Sequence, residues 1–323
     1  MDRIAVLTSG GDAPGMNATT RAVVRSADAR GLEIVGVKDG YRGLHRGWFE
    51  DLTPREVSGV LHLGGTILGT ARSASFRSPE GRADAIDQMH EHGIDGLIVI
   101  GGDGSLRGAD LLAQEGDIPV VGIPGTIDND LAGTDFTIGF DTAVNTAVEA
   151  IDRIRDTASS HQRLFFIEVM GRQAGWIALY AGLAGGATAA IVPEVDRDID
   201  ALRDRVRASF EMGKRFCLVV VAEGNGGARA IAEKVFPDDG DVDMDHRVTA
   251  LGHMQRGGAP TMRDRVLGAR LGDAAVDALM AGQNRIMVGE QRLELTQVPM
   301  QRAWSEDTHV PEHLLGLLDR LAR

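Results

Sequence analysis

The sequence predicts an α/β protein in which helices cover mostly parallel β-sheets. Apolar runs without polar alternation indicate strands buried on both faces, and they read RIAVLTS, GLIVIG, PVVGIPG, RLFFIEV and FCLVVVA. Glycine-containing turns and helix-like segments follow these runs, as in doubly wound folds. A chain of 323 residues is long enough for two such domains. We therefore expect two doubly wound, Rossmann-like domains with chain crossovers.

Two stretches are candidate domain boundaries. One lies near Gly139, where a long helix is expected to begin, and the other is the polar loop at 235–247. In open parallel sheets, ligands bind beyond the carboxyl ends of the strands. The turn after each predicted strand is therefore a candidate functional segment.

Composition and charge exclude several classes of function. A formal net charge of −13 is unsuited to nonspecific binding of nucleic acid or anionic membranes, because phosphate groups attract basic surfaces. The first residues lack a secretory or transit pattern, which favours a cytoplasmic location. The uncharged stretch 174–193 is interrupted by glycines, so we interpret it as a buried helix and a strand rather than a membrane span. The single cysteine, Cys217, lies in a strand-like run, which indicates core packing.

The segment GGDGS at 101–105 follows a predicted strand and precedes a predicted helix. Glycines let backbone N–H groups approach phosphate oxygens, and the helix directs its positive end at them. Asp103 offers carboxylate oxygens to Mg²⁺. The alternative is a tight strand-to-helix turn in which Asp103 caps the helix.

A P-loop is excluded, because none of the three lysines has the required glycine spacing. Arginine is therefore expected to bind phosphate instead. The segment LGTARSASFR at 68–77 supplies Arg72 and Arg77 after a glycine-rich bend, and their forked donors suit phosphate oxygens. The alternative for each is a solvated surface arginine.

Two aspartates, Asp128 and Asp130, follow the apolar run at 120–123 within IPGTIDNDLAGTD. In an extended loop, residues two apart point the same way. One carboxylate could accept a hydroxyl proton while the other binds a metal, as phosphoryl transfer to an alcohol requires. The alternative is a surface loop rich in Asx turns.

Further segments place cations and one carboxylate next to predicted strands or helices, namely Arg163, Arg172, Glu223, His253 and Arg256. This set suits a phosphorylated, hydroxylated substrate such as a sugar phosphate. Each residue also has an ordinary alternative as a helix cap or surface ion pair. A metal-ligand role for His253 is not expected, because no second His or Cys lies nearby at ligand spacing.

Six ordered motifs together closely resemble the bacterial 6-phosphofructokinase family over roughly residues 3–280: TSGGDAPGMNA, GGDGS, PGTIDND, DTASSHQR, EVMGR and LGHMQRGG. The resemblance implies Mg²⁺-assisted transfer of the ATP γ-phosphoryl group to the 1-hydroxyl of fructose 6-phosphate. It also implies self-association, usually as a homotetramer.

The resemblance further implies a role for individual residues. Asp128 would be the base, Thr126 and Arg172 would meet the transferring phosphoryl group, and Asp103 and Asp130 would serve the metal. The implied ATP site comprises Gly11, Tyr41, Arg72, Ser73, Gly102, Asp103, Gly104 and Ser105. The implied sugar-phosphate site comprises Thr126, Ile127, Asp128, Met170, Gly171, Arg172, Glu223, His253, Met254, Gln255 and Arg256, with Arg163 and Arg247 reaching in from a neighbouring subunit.

The implied domains follow the same division of labour. Residues 1–139 with about 252–303 would form a larger ATP-binding domain. Residues from about 140 to 251 with 304–323 would form a smaller sugar-phosphate-binding domain.

The chain departs from the family at the effector pocket. The basic residues match it, namely Arg21, Arg25, Arg155, Lys214 and Arg215. However, Thr188 stands where a metal-binding glutamate is expected and Phe216 where a histidine is. These departures predict weak control by nucleoside diphosphate or phosphoenolpyruvate.

Three alternative functions stay open at this point. Pyrophosphate could replace ATP as donor, although Gly104 and Gly125 favour ATP, since relatives that use pyrophosphate commonly carry aspartate and lysine there. Lipid or nicotinamide-dinucleotide kinases share the Gly-Gly-Asp-Gly turn but give no reason for PGTIDND and LGHMQRGG together. A non-enzymatic sugar-phosphate-binding regulator would not need Asp103 and Asp128.

Overall fold

The computed structural model describes residues 1–161, 163–196, 198–237 and 246–322, with backbone alone at 160 and 161. It forms two compact units. Unit 1 comprises Met1–Thr142 and Arg256–Asp307, and unit 2 comprises Ala143–Gln255 and Thr308–Arg323. The chain therefore passes between the units three times. Residues 238–245 of the polar loop expected at a boundary lie outside the described residues.

The elements alternate along the chain as the sequence predicts. The strands are β1 (Arg3–Ser9), β2 (Glu33–Val37), β3 (Phe49–Asp51), β4 (Gly96–Gly101), β5 (Val120–Thr126), β6 (Ile138–Gly139), β7 (Leu164–Val169), β8 (Ala189–Ile191), β9 (Cys217–Ala222), β10 (His246–Ala250), β11 (Ile286–Gln291) and β12 (Glu294–Pro299). The α-helices are α1 (Met16–Ala29), α2 (Gly40–Arg46), α3 (Pro79–Glu91), α4 (Asp103–Glu115), α5 (Phe140–His161), α6 (Trp176–Ala184), α7 (Ile199–Glu211), α8 (Ala228–Val235), α9 (Met262–Met280), α10 (Arg302–Ser305) and α11 (Glu312–Leu321). Within the part of the chain that the structure describes, three 3₁₀ helices cover Ser75–Arg77, Glu223–Asn225 and Gly252–Arg256.

The described strands of unit 1 form one sheet in the order β12-β11-β5-β4-β1-β2-β3, with β6 beside β5. The pairs are parallel except β2 with β3 and β11 with β12, which are antiparallel. The central strands β4 and β5 are buried along their whole length. This burial explains why their sequences are continuous apolar runs.

The described strands of unit 2 form a second sheet in the order β10-β7-β9-β8, and every pair in it is parallel. The α/β class with mostly parallel sheets is therefore confirmed. Cys217 is a free thiol, fully buried at the start of β9, so the prediction of core packing is confirmed.

Local signals in the sequence fix where several helices begin. The Ser78 hydroxyl accepts a hydrogen bond from the N–H of Gly81 at the start of α3, and Pro79 occupies the first turn. The Thr261 hydroxyl caps α9 in the same way, accepting from the N–H of Asp264. Such caps satisfy N–H groups that have no partner within the helix.

The uncharged stretch 174–193 folds as α6 followed by β8, as predicted. Both elements are largely buried. Within the described ranges, no helix is both long and apolar enough to cross a membrane.

Candidate active site

The turns after three neighbouring strands of unit 1 meet at one edge of its sheet. Strands β5, β4 and β1 are adjacent and parallel, so their carboxyl ends lie together. A Cβ built on Gly10, after β1, would stand 3.1 Å from the Ser105 hydroxyl. One built on Gly102, after β4, would stand 3.4 Å from the Cβ of Thr126, the last residue of β5. The two glycine-rich turns and the end of β5 therefore share one surface.

The GGDGS segment forms the predicted strand-to-helix turn, because β4 ends at Gly101 and α4 begins at Asp103. Gly102 is the N-cap residue, with no side-chain cap. The alternative in which Asp103 caps the helix is therefore wrong. Nothing lies within 4 Å of a Cβ built on Gly104, so the turn is open on that side. An open helix N-terminus attracts phosphate oxygens.

Tyr41 stabilises this turn through its hydroxyl group. The hydroxyl donates a 2.5 Å hydrogen bond to the Ser105 carbonyl, and the ring stacks on Phe76 with centroids 3.9 Å apart. Burial raises the pKa of Tyr41 far above its ordinary value, so the hydroxyl stays protonated and can donate. In the free protein, Tyr41 thus positions the turn.

Arg82 is a supporting residue that no sequence motif indicates. Its guanidinium forms a two-pronged pair with Glu115 at 2.7 and 2.6 Å, and Nη1 donates to the carbonyls of Phe76 and Arg77 at 3.2 and 2.9 Å. The hydrogen bonds that Arg82 donates to the Glu115 carboxylate raise the pKa of Arg82. Glu115 orients the Arg82 guanidinium, and Arg82 in turn holds the 3₁₀ helix that carries Phe76. Arg82 and Glu115 are 33 residues apart, so no local spacing indicates their contact.

The predicted arginine segment lies beside the first glycine turn. The Thr70 hydroxyl donates to the Gly10 carbonyl at 2.8 Å, and the Ser73 hydroxyl accepts from the N–H of Phe76 at 3.3 Å. Arg72 is exposed. Its guanidinium is therefore accessible to a ligand that binds at the glycine turns.

Asp128 is only 2% exposed, directly after β5. Its N–H donates to the Thr126 hydroxyl at 3.2 Å. Asp130 is half-buried. Because Asp128 and its neighbour Ile127 are buried, the alternative of a surface loop is wrong. A carboxylate in such a place needs compensating partners.

The expectation of an extended backbone across this loop is also wrong. Asn129 has a φ of 53°, in the left-handed region. Its side chain closes the turn, because Oδ1 accepts from the N–H of Thr137 at 2.8 Å and Nδ2 donates to the Asp135 carbonyl at 3.2 Å. Asparagine tolerates this conformation better than other residues do.

Arg256 lies on the first glycine turn of unit 1. Its Nη1 donates to the Asp12 carbonyl at 3.0 Å, and a Cβ built on Gly11 would stand 2.4 Å from the same nitrogen. The structure thus brings this predicted sugar-phosphate residue next to a predicted ATP residue. His253 and Met254, in the same 3₁₀ helix, are exposed.

In unit 2, the predicted residues after β7 and β9 come together. The Glu223 carboxylate accepts from the N–H of Arg172 at 2.8 Å, and the Gln255 side-chain oxygen accepts from the N–H of Met170 at 2.8 Å. Gly171 has a φ of 137°, which favours glycine. Gln255 is fully buried, so its side chain supports the Met170–Arg172 segment.

Arg163 and Arg247 lie at the other end of the same sheet. Arg163 precedes β7, and Arg247 near the start of β10 pairs with Phe165 in register. Strands rise by about 3.3 Å per residue, so about 20 Å separates Arg163 from Met170. The structure therefore does not bring these two arginines to the Met170–Arg172 segment of their own unit.

The carboxylates of unit 1 are oxygen donors of the kind that Mg²⁺ prefers. Within the described residues, no cluster of three or more His, Cys, Asp or Glu side chains could hold a metal ion. Mg²⁺ is usually bound through one or two carboxylates together with substrate phosphates. Asp103 also already binds a cation, because Arg107 contacts its Oδ1 at 2.5 Å. The donor set thus fits an ion that arrives with a nucleotide.

Comparison with known proteins gives consistent matches. The family model described as phosphofructokinase matches residues 3–279. The ATP-dependent 6-phosphofructokinase 1 of Thermus thermophilus is 53% identical across all of both chains. The ATP-dependent 6-phosphofructokinase 2 of Bacteroides thetaiotaomicron is 51% identical over 99% of this chain and 98% of its own.

A solved structure agrees with these sequence matches. Phosphofructokinase from Saccharomyces cerevisiae superposes with a TM-score of 0.88 at 35% identity. The match covers 98% of this chain and 46% of the yeast chain, so this chain spans about half the length of that relative. With the family model matched over most of its length, the chain belongs to the phosphofructokinase family.

Proposed function

We propose that the protein transfers the γ-phosphoryl group of MgATP to the 1-hydroxyl of fructose 6-phosphate, giving fructose 1,6-bisphosphate and ADP. The observation that carries this proposal is the buried carboxylate of Asp128 at the end of β5, next to the strand that leads into the GGDGS turn. A base and a phosphate-binding turn on adjacent strands suit phosphoryl transfer to an alcohol.

Asp128 accepts the proton of the sugar hydroxyl as that oxygen attacks the γ-phosphorus, and the bond to the ADP oxygen breaks. Proton transfer of this kind contributes about 10²–10⁴-fold to rate. Thr126, whose hydroxyl accepts from the N–H of Asp128, would donate a hydrogen bond to the transferring phosphoryl group. Asp103 and Asp130 would hold Mg²⁺, which would supply positive charge to neutralise and orient the phosphates.

Unit 2 contributes the sugar-phosphate residues in this proposal. Glu223 fixes the backbone of Arg172 and Gln255 fixes that of Met170, so the segment is already organised in the free protein. The Arg172 guanidinium stabilises the negative charge of the transferring group, where fixed donors are most effective. His253 and Arg256 bind the sugar phosphate.

Arg163 and Arg247 act in trans in this proposal, within a homotetramer. Their position at the amino ends of the strands, about 20 Å along β7 from Met170, supports a role in the site of another subunit. Arg247 is exposed. As an enzyme that acts on soluble intermediates of glycolysis, the protein would work in the cytoplasm.

ATP rather than pyrophosphate is the donor that the glycine positions favour. The space at Gly104 is open, which leaves room for the α-phosphate and nucleoside. A Cβ at Gly125 would stand 3.0 Å from Ile100 and 3.1 Å from Met16, so a lysine there would disturb the core. A binding protein without catalytic activity is the distant alternative, and it gives no role to Asp128.

One assay tests the reaction. Purified protein is given fructose 6-phosphate with ATP or with pyrophosphate, and ³¹P NMR follows the product. We expect fructose 1,6-bisphosphate with ATP and at most a trace with pyrophosphate. Binding of the sugar phosphate without turnover of either donor would refute the proposal that the protein is a kinase.

A mixing experiment tests the shared site. Arg247→Ala and Asp128→Ser are each expected to be nearly inactive, and re-formed mixed oligomers should regain activity because some sites then carry neither defect. Mixed oligomers that form but stay inactive would show that Arg247 does not act in trans.

A further inference from the structure

Asp103 and Arg107 form an ion pair at the start of α4. Arg107 lies one helical turn after Asp103, and its Nε stands 2.5 Å from the Asp103 Oδ1. The side chain of Arg107 is 52% exposed and that of Asp103 is 29% exposed. Both residues lie on α4, so the guanidinium is bound to the carboxylate at the first position of the helix that follows the phosphate-binding turn.

Arg107 has a second partner, the indole ring of Trp304. The guanidinium carbon lies 5.4 Å from the ring centroid of Trp304, in α10. A guanidinium at this distance from an indole is attracted by its π-electrons. The Arg107 guanidinium can therefore stay ordered after it releases Asp103, because the Trp304 ring continues to bind it.

Resting on the proposed function, the same carboxylate must also serve the metal. Asp103 cannot give Oδ1 to Arg107 and to Mg²⁺ with full strength at once, since the two cations repel. We propose that Arg107 is a resident counter-ion of Asp103 that the metal displaces, and that Trp304 retains the displaced guanidinium. Arg107 thus sets how much metal the site requires.

The ion pair also has a role in the free protein. Asp103 and Asp128 lie on turns that follow adjacent strands, and each adds negative charge to this edge of the sheet. A cation on Asp103 reduces their repulsion before the nucleotide arrives. An exposed pair one turn apart on a helix is weak and sensitive to salt, so we expect the metal to displace Arg107 at a modest cost.

Equilibrium binding of Mn²⁺ tests this proposal without a catalytic readout. The intact protein is saturated with a nonhydrolysable ATP analogue, and electron paramagnetic resonance measures free Mn²⁺. We expect Arg107→Gln to tighten Mn²⁺ binding about two- to fivefold at about 50 mM salt, with the gain shrinking towards one at about 500 mM. The affinity of Arg107→Gln for the nucleotide analogue without metal should stay within about twofold of that of the parent protein.

Arg302→Gln is the matched control. Arg302, on the helix that carries Trp304, forms the same kind of pair with Glu306, at 2.7 Å and four residues along the chain. It removes the same charge without touching Asp103, so we expect unchanged Mn²⁺ binding. An equal gain in both variants would reduce the effect to net charge and overturn the proposal.

Three further outcomes separate this inference from the proposed function. If Arg107→Gln leaves Mn²⁺ binding unchanged, only the counter-ion role is overturned. If the variant instead weakens metal-free nucleotide binding about tenfold, that role is overturned because Arg107 is then a phosphate ligand. Asp103→Asn that leaves Mn²⁺ binding unchanged would instead remove Asp103 from the metal site, and the inference with it.

Discussion

Arg256 lies directly over Gly11. Its Nη1 donates to the carbonyl of the next residue, Asp12, at 3.0 Å, and occupies the space where a Cβ on Gly11 would stand 2.4 Å away. A residue expected to bind the sugar phosphate thus rests on the turn expected to bind ATP. The absence of a side chain at position 11 is what permits this contact.

Gly11→Ala should therefore affect both substrates. The new methyl group must displace Arg256, so we expect the half-saturation for fructose 6-phosphate to rise about tenfold, along with that for ATP. Steady-state kinetics measure both values. Gly104→Ala is the control, because the space there is open, and it should leave the sugar-phosphate value unchanged. A rise for ATP alone would contradict a link through Arg256.

Asp264 should make stability depend on pH. It is buried, and it accepts from the N–H groups of Gly139 and Thr142 at 2.8 and 2.9 Å. Desolvation raises its pKa to about 6. A carboxyl whose pKa is higher in the folded than in the unfolded state destabilises the fold when it ionises. The contribution of Asp264 to the free energy of unfolding is therefore largest below about pH 4 and falls as pH rises through about 6.

Urea unfolding at matched ionic strength measures this effect with Asp264→Asn as reference. The parent should be more stable than the variant at both pH 7.5 and pH 5, since the amide cannot accept both hydrogen bonds, at a cost of about 1–3 kcal/mol. The difference should be larger at pH 5. A difference that shrinks on acidification would contradict the raised pKa.

The arrangement of the strands and the glycine turns could be predicted from the sequence, because both depend on local patterns. Continuous apolar runs identify buried parallel strands, and adjacency at the carboxyl edge follows from the fold. The left-handed turn at Asn129 could not be predicted, since its side chain bonds to Thr137 and Asp135 only after the loop has folded.

Long-range supports were also beyond prediction. The pair of Arg82 with Glu115 and the contact of Gln255 with Met170 join residues far apart in sequence. No spacing indicates them. The pair of Asp103 with Arg107, by contrast, has helical spacing, so a search for charges one turn apart would have found it.

Gly104→Asp tests the identity of the donor. A Cβ at Gly104 meets no atom of the free protein, so the variant should fold with a melting temperature close to that of the parent. The carboxylate would repel and obstruct the nucleotide phosphates, and we expect ATP-dependent turnover to be lost. Melting and turnover are measured on the same preparation. Retained use of ATP would show that position 104 does not face the nucleotide.

Effector control should be weak. Lys214 donates to the main-chain carbonyl of Ala322 at 2.5 Å, and Arg155 donates to the carbonyl of Gly185. Thr188 is buried and bonds to the N–H of Leu218 at 3.4 Å. These side chains already have protein partners, and a small anion site that lacks donors binds weakly.

We therefore expect ADP and phosphoenolpyruvate at millimolar concentrations to leave the half-saturation for fructose 6-phosphate nearly unchanged. Substrate saturation curves with and without each ligand measure this. A several-fold shift that Arg155→Ala abolishes would establish an effector site despite Thr188 and Phe216.

The most direct test of Asp128 as the base is the turnover of Asp128→Asn, with sugar-phosphate binding measured separately by calorimetry. The amide keeps the size of the buried side chain but cannot accept the hydroxyl proton. We predict that turnover falls by about two to four orders of magnitude while the dissociation constant for fructose 6-phosphate stays nearly the same. Turnover within threefold of the parent would contradict the assignment of Asp128 as the base.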